Sequence, residues 1–321
     1  MSFQLISDND RVSATLAASD RAAFRADALE IRIYYVPEGE TILITRGQDA
    51  LLMDGGSGRT LRNPALAQAI ARELQGRRLR AIIASHPHRD HTNSHSDLVD
   101  LATFAPGARY FDNGIPAADA NFQRITNDHP SLPFQRVAVL PNQRDNANRI
   151  VPRFGGAGAD VHVLRSSTNA TTHAGQVYWS VFVFLRLRNA WLLFTGDVIT
   201  KLYQTRMTPR LQVLNPRTHF LKLSHHGNRT GTSQNFVSAL RPAIAAASTD
   251  DDPGHELDDE VRTRLANVNS QVLATFDPNR AAAVRARDII IRTDGFIWSD
   301  GNVDGVLFEV IDRQPAIHLG A

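Results

Sequence analysis

The stretch "IIASHPHRDHTNSH", residues 82–95, constrains the fold more than any other, because four histidines and an aspartate crowd in directly behind an apolar run. A short, bounded apolar run reads as a buried strand, so that strand must end where several polar rings can meet. Within "SHPHRDH" the residues His86, His88, Asp90 and His91 stand at i, i+2, i+4 and i+5. On a turn leaving a strand, this spacing aims two imidazoles at one point and a carboxylate with an imidazole at a second point beside it. Pro87 breaks a helix just after the first histidine, so a helical face does not account for the pattern. The chain has no cysteine, which excludes disulfides, thiolate zinc knuckles and cysteine nucleophiles. A metal held here would rest on imidazole and carboxylate, a donor set suited to zinc, manganese or iron.

The remainder has the composition of a folded globular protein. Apolar residues make up 42% and charged residues 21% of 321 positions, enough for a large core in one or two domains. The formal net charge is only +2, so binding a long polyanion would need a local basic footprint, and no dense basic stripe is evident. Arginine outnumbers lysine, which suits bidentate recognition of anions. The opening "MSFQLISDND" lacks the basic-then-apolar order of an export signal. The longest apolar-rich run, "VYWSVFVFLRLRNAWLLFTGD", is interrupted by arginines and an asparagine and reads as two strands, not as a membrane helix. The expectation is a cytoplasmic protein with no membrane-spanning segment.

Three short strand-like runs, "LEIRIYYVP", "TILITRG" and "ALLMDGG", follow one another so closely that only antiparallel hairpins can join them. "NPALAQAIARELQG" then reads as a helix, with Asn63 before Pro64 at its start, Gly76 at its end, and Leu66, Ile70 and Leu74 on one buried face. The second half returns to strands, with helices at "SQNFVSAL" and "DDEVRTRLANV". Both halves thus run from hairpin strands to helix and strand, which predicts two sheets with helices outside them. Residues 1–28 read as a loosely tied N-terminal arm, with a helix at "ASDRAAFRADAL", and residues 29–321 as a single domain. Within it, residues 107–158 are rich in Pro, Asn and Gly and read as an excursion with little regular structure.

With these motifs in hand, the chain resembles the metallo-β-lactamase-fold hydrolases, whose HxHxDH signature stands intact at His86, His88, Asp90 and His91. "LLMDGG", "LLFTGD" and "LKLSHHGN" follow the same family pattern in order, giving Asp54, Asp197 and the pair His225–His226. "EGETILI", "PGHELDDEVRTRL" and "IRTDGFIWSDG" resemble the branch that includes competence-channel hydrolase domains and phosphorylcholine esterases, as does the "HHG" form itself. The resemblance implies an α/β fold, an αββα sandwich of two mixed, largely antiparallel sheets flanked by helices.

It also implies a site with two divalent metal ions, zinc or manganese. His86 and His88 would hold the first, Asp90 and His91 the second, with Asp197 bridging and His226 completing the second. The remaining ligand of the first site falls to His173, with His162 and Asn169 as alternatives. Asp54 would orient the loop or a ligand histidine, or is a turn aspartate before Gly55 and Gly56. His225 and His255, with Asp90, are the candidate catalytic groups beyond pure ligation, and His95 is left over by the pattern. Two adjacent cations would activate a shared water as hydroxide near neutral pH and polarise the scissile group.

The implied reaction is hydrolysis of a phosphodiester, in a small phosphate-containing molecule or a short nucleic acid. Arg124, Arg136, Arg144, Arg149 and Arg153 are candidates to meet its phosphates. Hydrolysis of a lactone or other carbonyl ester is the alternative, and a degenerate binding module that kept the fold is a second one.

Overall fold

The computed structural model describes residues 3–7, 13–14, 18–58, 64–115, 120–127, 131–139, 150–165, 180–198, 218–252, 254–299 and 304–316. The chain opens with strands β1 (Phe3–Ser7) and β2 (Ser13–Ala14) and helix α1 (Ala18–Ala26). The hairpin strands β3 (Leu29–Ile33), β4 (Thr41–Arg46) and β5 (Asp49–Asp54) come next, antiparallel in register as their short connections require. Helix α2 (Pro64–Leu74) leads to β6 (Arg78–Ile83), and after the turn that bears His86 and His88 two short helices, α3 (Arg89–Thr92) and α4 (His95–Leu101), carry His91 and His95. Strand β7 (Phe104–Asp112), helix α5 (Ala120–Thr126) and strand β8 (Gln135–Ala138) close the first half.

The second half contributes β9 (Ile150–Pro152), β10 (Ala159–Arg165), β11 (Val181–Leu187), β12 (Ala190–Phe194) and β13 (Phe220–Lys222). Helix α6 (Gln234–Leu240), strand β14 (Ile244–Ala247), helix α7 (Asp259–Ala266) and strand β15 (Gln271–Ala274) follow. The chain then returns to the first sheet through β16 (Asp288–Thr293), β17 (Ile297–Ser299) and β18 (Asp304–Arg313).

Among the described residues the first sheet runs β2-β1-β18-β16-β3-β4-β5-β6-β7-β8, with β17 paired to β18, and the second runs β15-β14-β13-β12-β11-β10-β9. Side-chain alternation sorts the apolar residues into three layers of core. Ile31, Ile42, Leu51 and Ile83 of the first sheet meet Val161, Val183, Leu192 and Phe220 of the second between the sheets. Leu52, Ile82 and Tyr110 turn the other way, onto Leu66 and Ile70 of α2, Leu98 of α4 and Phe122 of α5. Leu193, Leu221 and Ala245 turn outward onto Phe236 and Val237 of α6 and Val261 and Leu265 of α7. The result is helix, sheet, sheet, helix, the αββα sandwich expected. Antiparallel pairing dominates the first sheet, while the second is antiparallel from β9 to β12 and parallel from β12 to β15.

Two readings of the sequence are corrected. The N-terminal segment is not loosely tied in its described part. Strand β1 pairs with β18 from Phe3↔Ile311 to Ser7↔Leu307, Phe24 of α1 is fully buried, and Arg25 makes an ion pair with Glu309. "FQLIS" is only five residues long, and its strand character becomes plain once a partner edge is in view. The 107–158 stretch likewise carries regular structure, since α5, β8 and β9 lie in it and β8 and β9 extend the two sheets in turn. These strands are too short for periodicity to reveal, and long-range pairing makes them. Among the described residues no helix is long and apolar enough to cross a membrane.

Candidate metal centre

Each sheet turns parallel along one flank, β5 to β8 in the first and β12 to β15 in the second. Parallel neighbours end on the same side, and in such sheets ligands gather beyond the carboxyl ends of the strands. Here Asp54 closes β5, His86 follows β6, Asp197 follows β12, His225 and His226 follow β13, and Ser248 and Asp250 follow β14. The sequence therefore delivers its polar cluster to one rim between the sheets.

Asp197 Oδ2 is the common neighbour. It lies 3.2 Å from His91 Nε2, 3.8 Å from His86 Nε2 and 4.0 Å from His226 Nε2. Asp90 Oδ2 stands 3.8 Å from His91 Nε2. The donor atoms form two overlapping groups, His86–His91–Asp197 and Asp90–His91–His226, with all members of each within 4.8 Å of one another. The half-buried His88 packs edge-on against His86, ring centroids 4.4 Å apart.

The residues fit metal ions. His86 Nε2, His91 Nε2 and Asp197 Oδ1 are buried atoms that make no hydrogen bond. Each would cost about 1–3 kcal/mol if it stayed unsatisfied, and all belong to one group of donors. The opposite nitrogens are engaged by the protein. His91 Nδ1 donates to Asp54 Oδ2 at 2.9 Å, and Asp54 Oδ1 accepts from the Ser85 N–H at 2.7 Å. Ser85 Oγ lies 3.0 Å from His86 Nδ1, and His226 Nδ1 donates to the Ser248 carbonyl at 3.1 Å. In all three rings Nδ1 is tied back and Nε2 faces the centre, the arrangement that fixes tautomer and orientation in metal-binding histidines.

Charge follows the same plan. Burial holds the His86 pKa well below its ordinary value, and the charge of His91 adds to the effect. Burial likewise pushes His226 down to about 4, against the pull of Asp197. Burial would depress His91 too, but Asp197 and Asp54 together hold it well above its ordinary value. Asp197 is the mirror image, since burial would raise its carboxyl and His91, then His226 and His225, keep it well below the carboxylate range. His86 and His226 are thus neutral with a lone pair ready, whereas a cation at the centre must displace the His91 proton.

Backbone strain and close approach hold the loops. Asp54, His225 and His226 adopt φ of +54°, +49° and +56°, a region that non-glycine residues occupy at a cost of about 1–3 kcal/mol each. The Gly55 N–H donates to the His91 carbonyl at 2.7 Å. A Cβ on Gly56 would lie 2.1 Å from the Asp90 carbonyl carbon, so this strand end and the loop carrying Asp90 and His91 touch backbone to backbone. Across the rim, the His225 N–H donates to the Gly196 carbonyl at 3.1 Å, and Ser224 Oγ donates to that carbonyl at 3.0 Å.

His225 is half-buried with its Nδ1 unpartnered, and its ring centroid lies 6.1 Å from that of His226. The His255 ring stacks on His226 at 5.3 Å and 27°, and its Nδ1 meets Asp250 Oδ2 at 3.3 Å. Ser85, Ser248 and Asp250 carry no signal in the sequence that marks them as part of this site. Ser85 meets the ring of its neighbour His86 through a local contact that no spacing rule singles out, Ser248 meets His226 only across the fold, and Asp250 belongs to a run of three aspartates that offers no way to choose among them.

His173 and Asn169 lie outside the described residues, as do Arg144 and Arg149. His162 pairs with Phe184 and Ile150 on β10, while Val161 and Val163 fill the core between the sheets, so His162 faces the other side and does not join the group. Arg124 is ion-paired to Asp100 and Arg136 to Asp112, while Arg153 is exposed and its N–H donates to Asp160.

His95 is buried beneath Gly55, its Nδ1 2.9 Å from the Tyr110 hydroxyl, and burial pushes its pKa to about 4. A histidine whose pKa falls on folding stabilises the neutral-pH state, and that contribution is full above about 6.5 and lost as pH falls towards 4. Metal-free protein should therefore lose up to about 1.4 kcal/mol per pH unit from this residue alone across that window. Urea titrations at pH 4.5 to 7 check it, because His95→Gln should show a shallower pH slope than the parent chain.

A sequence profile of the Metallo-beta-lactamase superfamily matches residues 37–249, and the chain belongs to that superfamily, most of whose members are metal-dependent hydrolases. The metallo-β-lactamase-fold protein YhfI from Bacillus subtilis is 13% identical at a TM-score of 0.47, over 77% of this chain and 95% of its own. CmlA, a diiron β-hydroxylase from Streptomyces venezuelae, is 12% identical at 0.46, over 77% of this chain and 52% of its own. A diphosphatase of the PhnP family is 13% identical at 0.44, over 78% of this chain and 95% of its own. Comparison with curated protein sequences gave no match.

Proposed function

We propose that this chain is a hydrolase with two divalent metal ions, zinc by its donor set with manganese as the other fit, acting on a phosphodiester. The observation that carries the reading is the set of inward, unpartnered buried donors, His86 Nε2, His91 Nε2 and Asp197 Oδ1, with Asp90 and His226 alongside. His86 and His88 would hold the first ion together with His173, and Asp90, His91 and His226 would hold the second, with Asp197 serving both. Bound there, the ions supply a water acidic enough to lose its proton near neutral pH and positive charge for the substrate oxygen.

The chain's own groups do the rest. Asp54 fixes the His91 ring so that Nε2 stays on the centre, as its 2.9 Å contact permits. Asp90 and Asp197 offset the charge of the ions, and Asp90 also orients the attacking water. His225 and His255 border the ligand His226, where they can hydrogen-bond the substrate anion or hand a proton to the departing oxygen, His255 being held by Asp250. The phosphodiester assignment is supported by the suitability of a two-metal site for in-line displacement at phosphorus, and by the "HHG" motif with its likeness to the competence-channel and phosphorylcholine esterase branch. The short net positive charge favours a small phosphoester or a short nucleic acid over a long one.

The test is a paired assay of bis(p-nitrophenyl) phosphate and a simple lactone, before chelation, after it, and after zinc or manganese is restored. Phosphodiester turnover that disappears on chelation and returns with metal is expected. Turnover of the lactone alone overturns the substrate class, and turnover that survives complete chelation overturns the metal chemistry.

A further inference from the structure

The pair Glu40–Lys222 is a buried ion pair that joins the two sheets immediately beneath the candidate centre. Both side chains are fully buried, and Lys222 Nζ lies 2.5 Å from Glu40 Oε2 and donates to the Leu223 carbonyl at 3.0 Å. Glu40 precedes β4 in the first sheet, and Lys222 ends β13 in the second. Each sits in the backbone that presents a ligand. The Glu40 N–H donates to the Asp90 carbonyl at 3.0 Å, and the Glu40 carbonyl accepts from the Gly56 N–H at 3.1 Å. Lys222 stands two residues before Ser224 and the His225–His226 turn, and its carbonyl accepts from Thr195 Oγ1 at 2.7 Å, beside the Gly196–Asp197 turn.

Taking two charges out of water is costly, and a buried pair is often no more stabilising than apolar residues of the same volume. A stability role alone therefore does not account for this pair, while its connections do. In the group Asp90–His91–His226 the first two donors follow β6 of the first sheet and His226 follows β13 of the second, and the pair ties the backbone at Asp90 to the strand that leads to His226. We infer that Glu40 and Lys222 are positioning residues that set the span between Asp90 and His226, and with it the affinity of the second metal site. The inference rests on the dinuclear reading above. A metal that demands near-fixed ligand distances responds to small changes in that span, so the pair acts on the second ion and leaves the first, proposed on His86, His88 and His173, largely alone.

The test is zinc titration of metal-free protein against a competing chelator, with cobalt(II) visible spectra of the one- and two-equivalent forms. Three chains are compared: the parent, Lys222→Met, and the double variant Glu40→Gln with Lys222→Met, which keeps volume and leaves no stranded charge if the single variant does not fold. The parent is expected to take up two ions in distinguishable steps. The double variant is expected to match the parent in urea midpoint and in its first equivalent, bind its second equivalent at least tenfold more weakly, and show an altered second-step cobalt spectrum. Equal affinities and spectra in parent and double variant overturn the inference, as does a loss of both equivalents in step with a lowered urea midpoint. Fewer than two ions on the parent overturns the dinuclear reading itself, and the inference with it.

Discussion

Asp197→Asn is expected to lower kcat/KM for a phosphodiester by about a thousandfold or more and to reduce zinc content to one ion or none. Asp197 Oδ2 is the atom that His86, His91 and His226 all approach, between 3.2 and 4.0 Å, so its loss is felt by three rings at once. An amide keeps the shape but offers a neutral oxygen and a nitrogen that cannot bind a cation. The polarisation and water activation supplied by a bound metal are worth several kcal/mol, and about 1.4 kcal/mol is a tenfold change in rate. The variant also removes the strongest partner of His91, whose pKa Asp197 and Asp54 hold up against burial, so that pKa should fall in the metal-free protein. Steady-state kinetics with metal analysis of the same preparation checks the prediction, and a variant within tenfold of the parent with two ions bound would refute it.

Gly56→Ala should be the most damaging small change to the scaffold of the site. The added Cβ would meet the Asp90 carbonyl carbon at 2.1 Å, its oxygen at 2.2 Å and the His91 nitrogen at 2.4 Å, all backbone atoms that cannot swing aside as a side chain would. Overpacking a core side chain commonly costs about 1–3 kcal/mol, and a clash between two main chains belongs at or above the top of that range. The cost is expected to appear as about 3 kcal/mol in the urea unfolding of metal-free protein, together with loss of zinc binding, because the displaced residues are themselves proposed ligands. Gly58→Ala is the control. Its φ of +72° carries the left-handed penalty of about 1–2 kcal/mol, yet a Cβ there meets nothing within 4 Å, so metal binding should survive.

The parts of this molecule that were legible in its sequence are those written in contiguous residues. The β3–β5 meander was set by connections too short for anything but hairpins, and α2 by Leu66, Ile70 and Leu74 at four-residue steps. The polar cluster was visible because His86, Asp90 and His91 share one turn, while Asp197 and His226 became readable only through family motifs that sequence spacing does not supply. What stayed hidden was made by pairing across long separations. Strand β1 finds its place on β18 roughly three hundred residues on, β8 and β9 exist as sheet edges more than as local patterns, and Glu40 meets Lys222 across 182 positions. His162 shows the converse, since only alternation along a known strand tells which face a lone histidine takes.

Anomalous diffraction at the zinc edge, from crystals grown with zinc, decides whether two ions bind at this rim. Two peaks are expected, the first about 2.0–2.2 Å from donor atoms of His86, His88 and Asp197 and the second at that distance from Asp90, His91, Asp197 and His226. A single peak, or zinc bound away from Asp197, would contradict the dinuclear reading.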